Sequence, residues 1–259
     1  MLLAIDSGNT NVVFAIFDNG GRIISQWRAA SNKNRTADEY SVWLIQLMEQ
    51  AKIEKDQIKA SIIANVVPEA LSSLKLLCTT HFSTEALVVG EPEVNLDIKV
   101  NLENPREVGA DRIVNAVAAH EFYSGAKIVI DFGTATTFDV ISEGGSYEGG
   151  VISPGVNLSL ETLHQAAAQL PHVTITKPSY LIGKNTHDAM VSGIFWGYIG
   201  LIEGLIFRLK KEIDNETIRV ISTGGLAPLF SANCDKIEAL DQNLTINGLN
   251  LIYQRNQIE

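Results

Sequence analysis

Two segments of this chain, 125 positions apart, have the pattern of one β-hairpin present twice. Each has an apolar strand that ends in an aspartate, a short turn with glycine, and a returning apolar strand followed by a second glycine turn. Five pairs of positions are identical at this offset: Ile5/Ile130, Asp6/Asp131, Gly8/Gly133, Ile16/Ile141 and Gly20/Gly145. An ordinary hairpin turn does not need to keep an acid and a glycine together. The repetition therefore favours two related half-sites over two unrelated turns.

The composition of the two acidic turns is typical of a polyphosphate site. A glycine lets backbone N–H groups come close to a phosphate oxygen and adopts a positive φ without strain. Neutral hydroxyl and amide donors follow each aspartate, namely Asn9, Thr10, Thr134, Thr136 and Thr137. Because a carboxylate repels a phosphate, Asp6 and Asp131 are expected to act through a bound cation.

Hydrophobic periodicity predicts the same order of elements in both halves of the chain. In the first half, strands are predicted at residues 2–7, 11–18, 22–29, 61–67 and 87–89, and helices at 36–53 and 68–80. In the second half, strands are predicted at 127–131, 135–142, 146–152 and 218–222, and helices from 111, at 157–169, 184–211 and 226–231, and from 247. This order predicts an α/β protein with two lobes, residues 1–115 and 116–259, each with a mixed β-sheet flanked by helices.

Composition and charge exclude several classes of protein. The chain has 20 Lys and Arg against 30 Asp and Glu, and its net charge of −10 opposes general binding to nucleic acid or to an anionic membrane. Its two cysteines, Cys78 and Cys234, lie in unrelated contexts and predict neither a disulfide framework nor a thiolate metal site. The N-terminus lacks the pattern of a secretion signal, and no apolar run comes near the roughly 20 residues of a membrane span. We therefore expect a soluble cytoplasmic protein.

A further segment that can carry chemistry, Gly109-Ala110-Asp111-Arg112, stands at a predicted helix start. Aspartate is common at helix N-caps, and this structural role explains Asp111 about as well as a functional one. In the functional interpretation, Asp111 accepts a proton from a substrate hydroxyl, and Arg112 holds a carboxylate or phosphate through two hydrogen bonds. The residues alone leave both interpretations open.

Two other glycine segments have an ordinary structural explanation. Gly224-Gly225, after a predicted strand, allow close approach of an adenine or a ribose, but paired glycines also form common strand-to-helix turns. Gly183-Lys184-Asn185-Thr186 opens a helix and is not a P-loop, because the lysine is followed by asparagine and no glycine lies at the required upstream position. Gly193 and Gly197 are expected to allow close packing of that helix.

In this order, the segments resemble the motifs of type III pantothenate kinases, a family of the superfamily that holds acetate kinase, sugar kinases, heat-shock chaperones and actin. Asp6-Ser7-Gly8-Asn9-Thr10-Asn11 is similar to the family's first phosphate motif, and Asp131-Phe132-Gly133-Thr134-Ala135-Thr136 to its second. Gly109 to Arg112 are similar to its pantothenate and catalytic motif, Gly224-Gly225 to its adenosine motif, and Gly183 to Thr186 to a segment with a substrate-contacting threonine. The resemblance covers nearly the whole chain and implies a duplicated actin-like (ribonuclease H-like) fold.

The resemblance implies a role for each matched residue. The residues that would line the ATP phosphates are Asp6, Ser7, Gly8, Asn9, Thr10, Asn11, Val12 and Val13, with Asp6 on the Mg²⁺ side. Those that would contact ATP from the second half are Thr134, Gly224 and Gly225. Those that would bind pantothenate are Gly109, Ala110, Asp111, Arg112 and Thr186, with Asp111 as the proton acceptor. Asp131 would hold a monovalent cation, K⁺ or NH₄⁺.

The activity implied is ATP-dependent phosphorylation of pantothenate to 4′-phosphopantothenate, the first step of coenzyme A biosynthesis, by a homodimer. One position departs from the resemblance: the family often has a tyrosine seven residues before the glycine of Gly-Ala-Asp-Arg, and this chain has Leu102. A phenol hydrogen bond to substrate is therefore missing or replaced. The alternatives are another small-molecule kinase of the same fold and a nucleotide-binding regulatory protein without turnover. The intact Asp6, Asp111 and Asp131 argue against the regulatory alternative.

Overall fold

The computed structural model of the chain describes residues 1–166, 171, 173–215 and 217–257. The strands are β1 (Leu2–Ser7), β2 (Asn11–Phe17), β3 (Ile23–Ala30), β4 (Ala60–Asn65), β5 (Ala86–Val88), β6 (Lys127–Phe132), β7 (Ala135–Ile141), β8 (Tyr147–Pro154), β9 (Arg219–Gly224) and β10 (Ala239–Leu240). The helices are α1 (Ala37–Gln50), α2 (Pro68–Leu76), α3 (Ala110–Phe122), α4 (Val156–Ala166), α5 (Thr186–Ile213), α6 (Ala227–Ser231) and α7 (Leu244–Arg255). The last part of the helix predicted at 157–169 lies outside the described residues.

The chain forms two compact units. The first contains Met1–Ile98, Glu103–Ala118 and Asn243–Glu259, and the second contains Lys99–Leu102 and Ala119–Gln242. Helix α3 contributes to both units, because its last turn belongs to the second. The lobe boundary predicted at residue 115 stays a prediction. The units differ from the predicted lobes mainly in the C-terminal segment, which belongs to the first unit.

In the first unit, a five-stranded sheet has the order β3-β2-β1-β4-β5. Strand β1 is antiparallel to β2 and parallel to β4, as expected for a hairpin followed by a helical crossover. The central position of β1 requires an apolar sequence on both faces, which residues 2–5 supply. Leu3 and Ile5 face a core cluster that Leu44 and Met48 of α1 help to close.

Local signals fix where the first helices begin. Thr36 and Glu39 form a capping box before α1: Thr36 Oγ1 accepts the Glu39 N–H at 3.3 Å, and Glu39 Oε2 accepts the Thr36 N–H at 2.8 Å. Pro68 opens α2, where its missing N–H would have had no helical partner. The chain therefore leaves β4 at a defined point, close to the strand end where β1 also stops.

In the second unit, the sheet has the equivalent order β10-β9-β6-β7-β8. Strand β6 is antiparallel to β7 and parallel to β9. Ile128 and Ile130 face a second core cluster with Phe195 of α5 and Phe230 of α6. The prediction of a mixed sheet in each half is confirmed. Strand β10 was not predicted, because two residues are too few to show a period of two.

The two hairpins do not follow one constant offset along their whole length. Three residues, Gly8 to Thr10, connect β1 to β2, whereas only Gly133 and Thr134 connect β6 to β7. Asp6 and Asp131 precede these turns and are equivalent. Because the second turn is one residue shorter, the distance along the chain between equivalent residues of the two hairpins is one position smaller after the turns than before them.

The returning strands show the same shift. A β-bulge follows Ile16 in β2 and Val140 in β7. The next turns hold Gly21 and Gly145 at positive φ, 78° and 86°. Ile16 is therefore equivalent to Val140, and Gly21 to Gly145. Two identities of the constant-offset alignment are wrong as structural equivalences: Ile16/Ile141 and Gly20/Gly145.

The last helix returns to the first sheet. Helix α7 packs against β1 and β4 and buries Leu249 and Ile252. A Cβ at Gly248 of α7 would lie 2.6 Å from the carbonyl oxygen of Val114 in α3. Glycine therefore permits the close contact of α7 with α3 that completes this side of the first unit.

Candidate functional site

In the first unit, Asp6 lies near the carboxyl end of β1 between two apolar neighbours. It pairs with Val13 of β2 and with Ala64 of β4. Alternate residues of a strand point to opposite faces, so Asp6 points away from the core cluster that contains Ile5. The carboxyl ends of parallel strands are where open α/β sheets bind ligands.

At the ends of β1 and β4, on the sheet face opposite Asp6, two buried oxygen atoms have no hydrogen-bond partner among the described residues: Ser7 Oγ and Asn65 Oδ1. Ser7 and Asn65 are directly paired across β1 and β4, and Asn65 Nδ2 donates to the carbonyl of Val67 at 2.9 Å. Leaving such an atom without any partner costs about 1–3 kcal/mol, so both oxygens are suited to accept a hydrogen bond from a water or a ligand. Sequence reasoning missed Asn65, because the predicted strand continued to residue 67 and only the structure shows that β4 ends at Asn65 beside Ser7.

The first acidic turn presents exposed polar residues. The Gly8 N–H donates to the carbonyl of Asn11 at 3.0 Å, and a Cβ at Gly8 would lie 3.2 Å from that carbonyl oxygen. Asn9 and Thr10 are exposed at the tip. The carbonyl of Thr10 accepts the Ser31 N–H at 2.9 Å, which fixes the turn to the residue that follows β3.

Gly109 to Arg112 form the start of α3 in the same unit. The carbonyl of Gly109 accepts the N–H of Ile113 at 3.2 Å, so Gly109 is the N-cap residue and Asp111 lies in the first turn. The N-cap interpretation of Asp111 is therefore wrong. Asp111 Oδ1 accepts the Arg112 N–H at 2.8 Å, and a Cβ at Gly109 would lie 2.6 Å from that oxygen. The glycine thus leaves space for a half-buried carboxylate.

Val66 brings these parts of the first unit together. Its N–H donates to the carbonyl of Ser7 at 3.0 Å, and its Cγ1 lies 3.5 Å from the position that a Cβ at Gly109 would take. The ends of β1 and β4 and the start of α3 are thus neighbours. The first unit therefore groups the predicted phosphate residues with the predicted pantothenate residues of α3.

In the second unit, Asp131 lies between two threonines. It pairs with Thr137 of β7 and with Thr223 of β9. Gly224 follows at φ 94°, and a Cβ there would lie 2.5 Å from Asp131 Oδ1 and 2.7 Å from the carbonyl oxygen of Phe132. Gly224 therefore leaves space for the Asp131 carboxylate. The same test finds no described atom within 4 Å of a Cβ at Gly225.

The exposed Thr134 turn rests on the start of α4. The Gly155 N–H donates to the carbonyl of Thr134 at 3.1 Å, and a Cβ at Gly155 would overlap that carbonyl. The Tyr198 hydroxyl of α5 fixes the residue before Gly155, because it donates to the carbonyl of Pro154 at 2.6 Å. Burial raises the pKa of Tyr198, which keeps its phenol protonated as a donor. Sequence reasoning missed Gly155, since a Pro-Gly pair before a helix is also an ordinary turn.

Thr186 is exposed as the first residue of α5, behind the N-cap residue Asn185, whose side chain accepts the Asp188 N–H at 2.8 Å. A Cβ at Gly183 would overlap the backbone of Ala189, so this glycine is required by packing.

The expected packing role of Gly193 and Gly197 is wrong, because a Cβ at either position would meet no atom of the described chain within 4 Å. Beside the start of α5, a cavity of about 330 Å³ is lined by several polar side chains, among them Lys177, Lys184, His187 and Asp188.

Leu102, at the position where the resemblance expects tyrosine, lies against β8 in the second unit. Its Cδ2 is 3.3 Å from the position that a Cβ at Gly149 would take. The preceding residue, Asn101, donates through its N–H to the carbonyl of Tyr147 at 2.9 Å and through Nδ2 to Glu148 Oε2 at 2.9 Å. The segment thus has a firm structural place that does not depend on a phenol.

Comparison with known proteins gives one family. The family model for type III pantothenate kinase matches residues 2–208. A curated protein of that name from Rhodospirillum rubrum is 58% identical over 257 residues, which cover 99% of this chain and 99% of that protein.

Solved structures with the same fold are much less similar in sequence. A conserved putative Baf family transcriptional activator from Campylobacter jejuni has a TM-score of 0.60 at 20% identity and covers 98% of each chain. A putative 2-dehydro-3-deoxygalactonokinase from Sinorhizobium meliloti has a TM-score of 0.60 at 11% identity, over 98% of this chain and 96% of that one. At these identities the likeness concerns the fold alone. Together with the two mixed sheets, it confirms the predicted duplicated actin-like fold.

Proposed function

Because the chain belongs to the type III pantothenate kinase family, we propose that this site transfers the γ-phosphoryl group of ATP to the terminal hydroxyl of pantothenate. The products are ADP and 4′-phosphopantothenate, and the reaction is the first step of coenzyme A biosynthesis. The observation that carries the proposal is the 58% identity to a curated type III pantothenate kinase over nearly the full length of both chains. The predicted family and enzyme class are confirmed by the same match and by the family model.

Phosphoryl transfer of this kind requires alignment and charge neutralisation more than covalent chemistry by the protein. In the first unit, the turn at Gly8 to Thr10 is suited to bind phosphate through backbone N–H groups and hydroxyls. In the second unit, the turn at Gly133 and Thr134 offers donors of the same kind. Gly225 is suited to lie against the adenosine, because it is exposed and no described side chain or backbone atom crowds it. These assignments extend the family match to particular residues.

Asp111 is the proposed proton acceptor. It lies in the first turn of α3, where the helix dipole stabilises a negative charge. One of its oxygens is oriented by the Arg112 N–H, which fixes the carboxylate for a hydrogen bond from the pantothenate hydroxyl. Asp111 orients this hydroxyl and receives its proton as the oxygen–phosphorus bond forms. The Arg112 guanidinium is suited to hold the pantothenate carboxylate through two hydrogen bonds, and Thr186 is proposed as a further contact.

Asp6 is suited to a hydrated Mg²⁺ ion, because it lies near the carboxyl end of β1 on the face away from the core cluster. Mg²⁺ keeps several waters and is usually bound through one or two carboxylates and the substrate phosphates. When bound, the ion neutralises negative charge on the phosphates. Asp6 would orient its waters from the carboxyl end of β1.

The residues around Asp131 fit a monovalent cation. The site offers one carboxylate beside the neutral oxygens of the carbonyl and hydroxyl groups near it, which are ligands that hard cations prefer. Gly224 leaves the volume that the carboxylate needs. We propose K⁺ or NH₄⁺ here, where the positive charge supports the second phosphate turn.

We also propose that the protein is a cytoplasmic homodimer. Tyr180, Leu181 and Ile182 expose 81, 68 and 70% of their surface, and such a contiguous apolar run is suited to a subunit contact. Contrary to the expectation from sequence that no apolar run comes near the length of a membrane span, α5 is, among the described residues, long and apolar enough to cross a membrane by length and composition. Its inner face belongs to the second core cluster through Phe195 and Ile199, and core helices of soluble proteins pass the same test.

The test of the proposed function is ADP release from ATP and Mg²⁺ with and without pantothenate, in KCl and again in NaCl. We expect release that depends on pantothenate and is faster in KCl. A panel of sugars, hydroxy acids and polyols serves as the control for acceptor choice. Bound ATP without pantothenate-dependent release in either salt would contradict the proposal.

A further inference from the structure

Three neighbouring strands of the second sheet place oxygen-bearing side chains in one row. Thr137 of β7 and Thr223 of β9 are the direct partners of Asp131 in β6. Directly paired residues project to the same face, with their Cβ atoms about 4.5–5.5 Å apart in an antiparallel pair. The Asp131 carboxylate is therefore flanked by a hydroxyl on each side. We call these three residues the oxygen row.

The first sheet provides an internal comparison for this row. The equivalent aspartate, Asp6, is flanked by Val13 and Ala64, which carry no side-chain oxygen. The two hairpins share the strand order, the β-bulge and the later turn with a glycine at positive φ, so a role in folding alone would not require the difference. The oxygens at the flanks of Asp131 therefore indicate that the second aspartate meets a ligand that the first does not meet in the same way.

A buried carboxylate fixes the orientation of one hydroxyl in the row. Asp139 of β7 is fully buried, its Oδ2 accepts from Thr137 Oγ1 at 3.1 Å, and its Oδ1 accepts from the Tyr147 hydroxyl at 2.7 Å. The first sheet has Ala15 at the position equivalent to Asp139, paired with Ala4. The Thr137 hydroxyl has a single proton, and it donates that proton to Asp139 Oδ2. The Thr137 oxygen then presents lone pairs, rather than a proton, to any other neighbour.

We propose that Thr137 and Thr223 supply hydroxyl oxygens to the monovalent cation proposed at Asp131, and that Asp139 is a positioning residue that keeps Thr137 an acceptor. The inference rests on the proposed function for the presence of the cation, and it adds residues that the family motifs did not assign. One carboxylate flanked by neutral protein oxygens suits a single positive charge, whereas Mg²⁺ usually keeps several waters and requires near-ideal octahedral geometry. Positioning partners of this kind affect affinity without touching the ion.

The test measures the thermal unfolding midpoint of the full chain as a function of KCl, with choline chloride holding the ionic strength constant, with and without MgADP. For Thr137→Val, we expect the KCl concentration that gives half of the stabilisation to rise about tenfold or more. Thr137→Ser restores the hydroxyl and is expected to restore the response. The readout does not depend on turnover of pantothenate.

The matched control is Thr84→Val in the first unit. Thr84 is also a threonine with little exposure, 6%, and its hydroxyl lies 2.8 Å from Ser61 Oγ. Its loss is expected to lower the midpoint equally in choline chloride and KCl, with no change in the KCl dependence. A purely structural role of Thr137 would give the same result as this control and would overturn the inference.

Asp139→Asn tests the positioning role separately. The asparagine carbonyl still accepts from Tyr147, but its NH₂ group donates to Thr137, whose proton then turns toward the cation. We expect a weaker response to KCl in a folded protein, and an unchanged response would remove Asp139 from this role. If Asp139→Asn does not fold, Thr137→Val and Thr137→Ser still decide the ligand assignment.

The wild-type protein separates this inference from the proposed function. Stabilisation by KCl without pantothenate-dependent ADP release would support the cation site and contradict the function. Pantothenate-dependent release with no KCl-dependent shift, with or without MgADP, would support the function and overturn the cation site.

Discussion

At the residue scale, several side chains have two tasks at once. Asp111 accepts a backbone N–H in the first turn of α3 and is also the proposed acceptor of the substrate proton. Gly109 serves both, because a Cβ there would crowd the Asp111 carboxylate. A substitution must therefore keep the shape of the residue if it is to test the chemistry alone.

Asp111→Asn keeps that shape, and we expect it to lose most of kcat while MgATP still binds, because an amide does not accept the proton. Initial rates of ADP release give kcat, and thermal unfolding with and without MgATP gives binding. Asp38→Asn is the control, since Asp38 is another first-turn aspartate of the same unit, at the start of α1. Turnover of the Asp111 variant close to that of the Asp38 variant would contradict the assignment.

Gly224 and Gly225 are expected to respond differently to alanine. A Cβ at Gly224 would displace Asp131, so Gly224→Ala should lower stability and the response to KCl. Gly225→Ala should leave stability unchanged but raise KM for ATP, because only a ligand would occupy the open space there. Unfolding midpoints and steady-state rates at varied ATP separate the two effects. An unchanged KM in Gly225→Ala would remove that residue from the adenosine site.

Cys78 gives a prediction about pH. The thiol is fully buried, and burial raises its pKa from 9.0 to about 11. The folded state therefore holds the proton more tightly than the unfolded chain, and its contribution to stability is present below about pH 9 and is lost as pH rises toward 11. Urea unfolding at about pH 8 and about pH 10.5 should show a smaller loss for Cys78→Ala than for wild type. An equal loss in both proteins would contradict the burial effect.

At the element scale, the hairpin turns show which glycines the backbone needs. Gly145 has a φ of 86°, and a Cβ there would lie 2.6 Å from His120 Nε2. Its neighbour Gly144 has open space around a Cβ, so far as the described residues extend. An alanine substitution is therefore expected to cause strain at Gly145 but not at Gly144.

Gly145→Ala is expected to lower the free energy of unfolding by about 1–3 kcal/mol, because alanine is strained at this φ and meets the His120 ring. Gly144→Ala is the control and should change it by less than about 0.5 kcal/mol. Chemical unfolding of both variants measures the difference. Equal effects of the two substitutions would contradict a special backbone requirement at Gly145.

Much of the architecture could be predicted from sequence because strands β1, β2, β6 and β7 have long apolar runs between glycine turns. The correspondence between residues of the two hairpins could not be predicted beyond the acidic turns. The turn at Thr134 is one residue shorter than its counterpart, and the apolar strand after it fits either alignment equally well. Asn65 and Gly155 also escaped prediction, because each acts only through the spatial neighbour that folding provides, Ser7 and Thr134 respectively. The motif residues could be proposed from the sequence because each motif is local in sequence, and their roles stay predictions.

At the scale of the whole molecule, the proposed dimer makes a clear prediction. Light scattering should give twice the chain mass of 28.2 kDa. Leu181→Asp, within the exposed apolar run of the second unit, should shift the protein toward the monomer, because a buried charge opposes association. Val42→Asp is the control, since Val42 is 70% exposed on α1 as a single apolar residue. A dimer that survives Leu181→Asp at low concentration would place the contact elsewhere.

The return of α7 to the first unit has a consequence for how the protein is made. A ribosome completes the chain from the N-terminus, and domains usually fold in that order. Here the second unit has all of its sequence once Gln242 has been added, whereas the first still lacks the helix that packs on β1 and β4. The first unit is therefore synthesised first but completed last. Nascent chains stalled just before Asn243 are expected to expose the sheet of the first unit to proteases and chaperones.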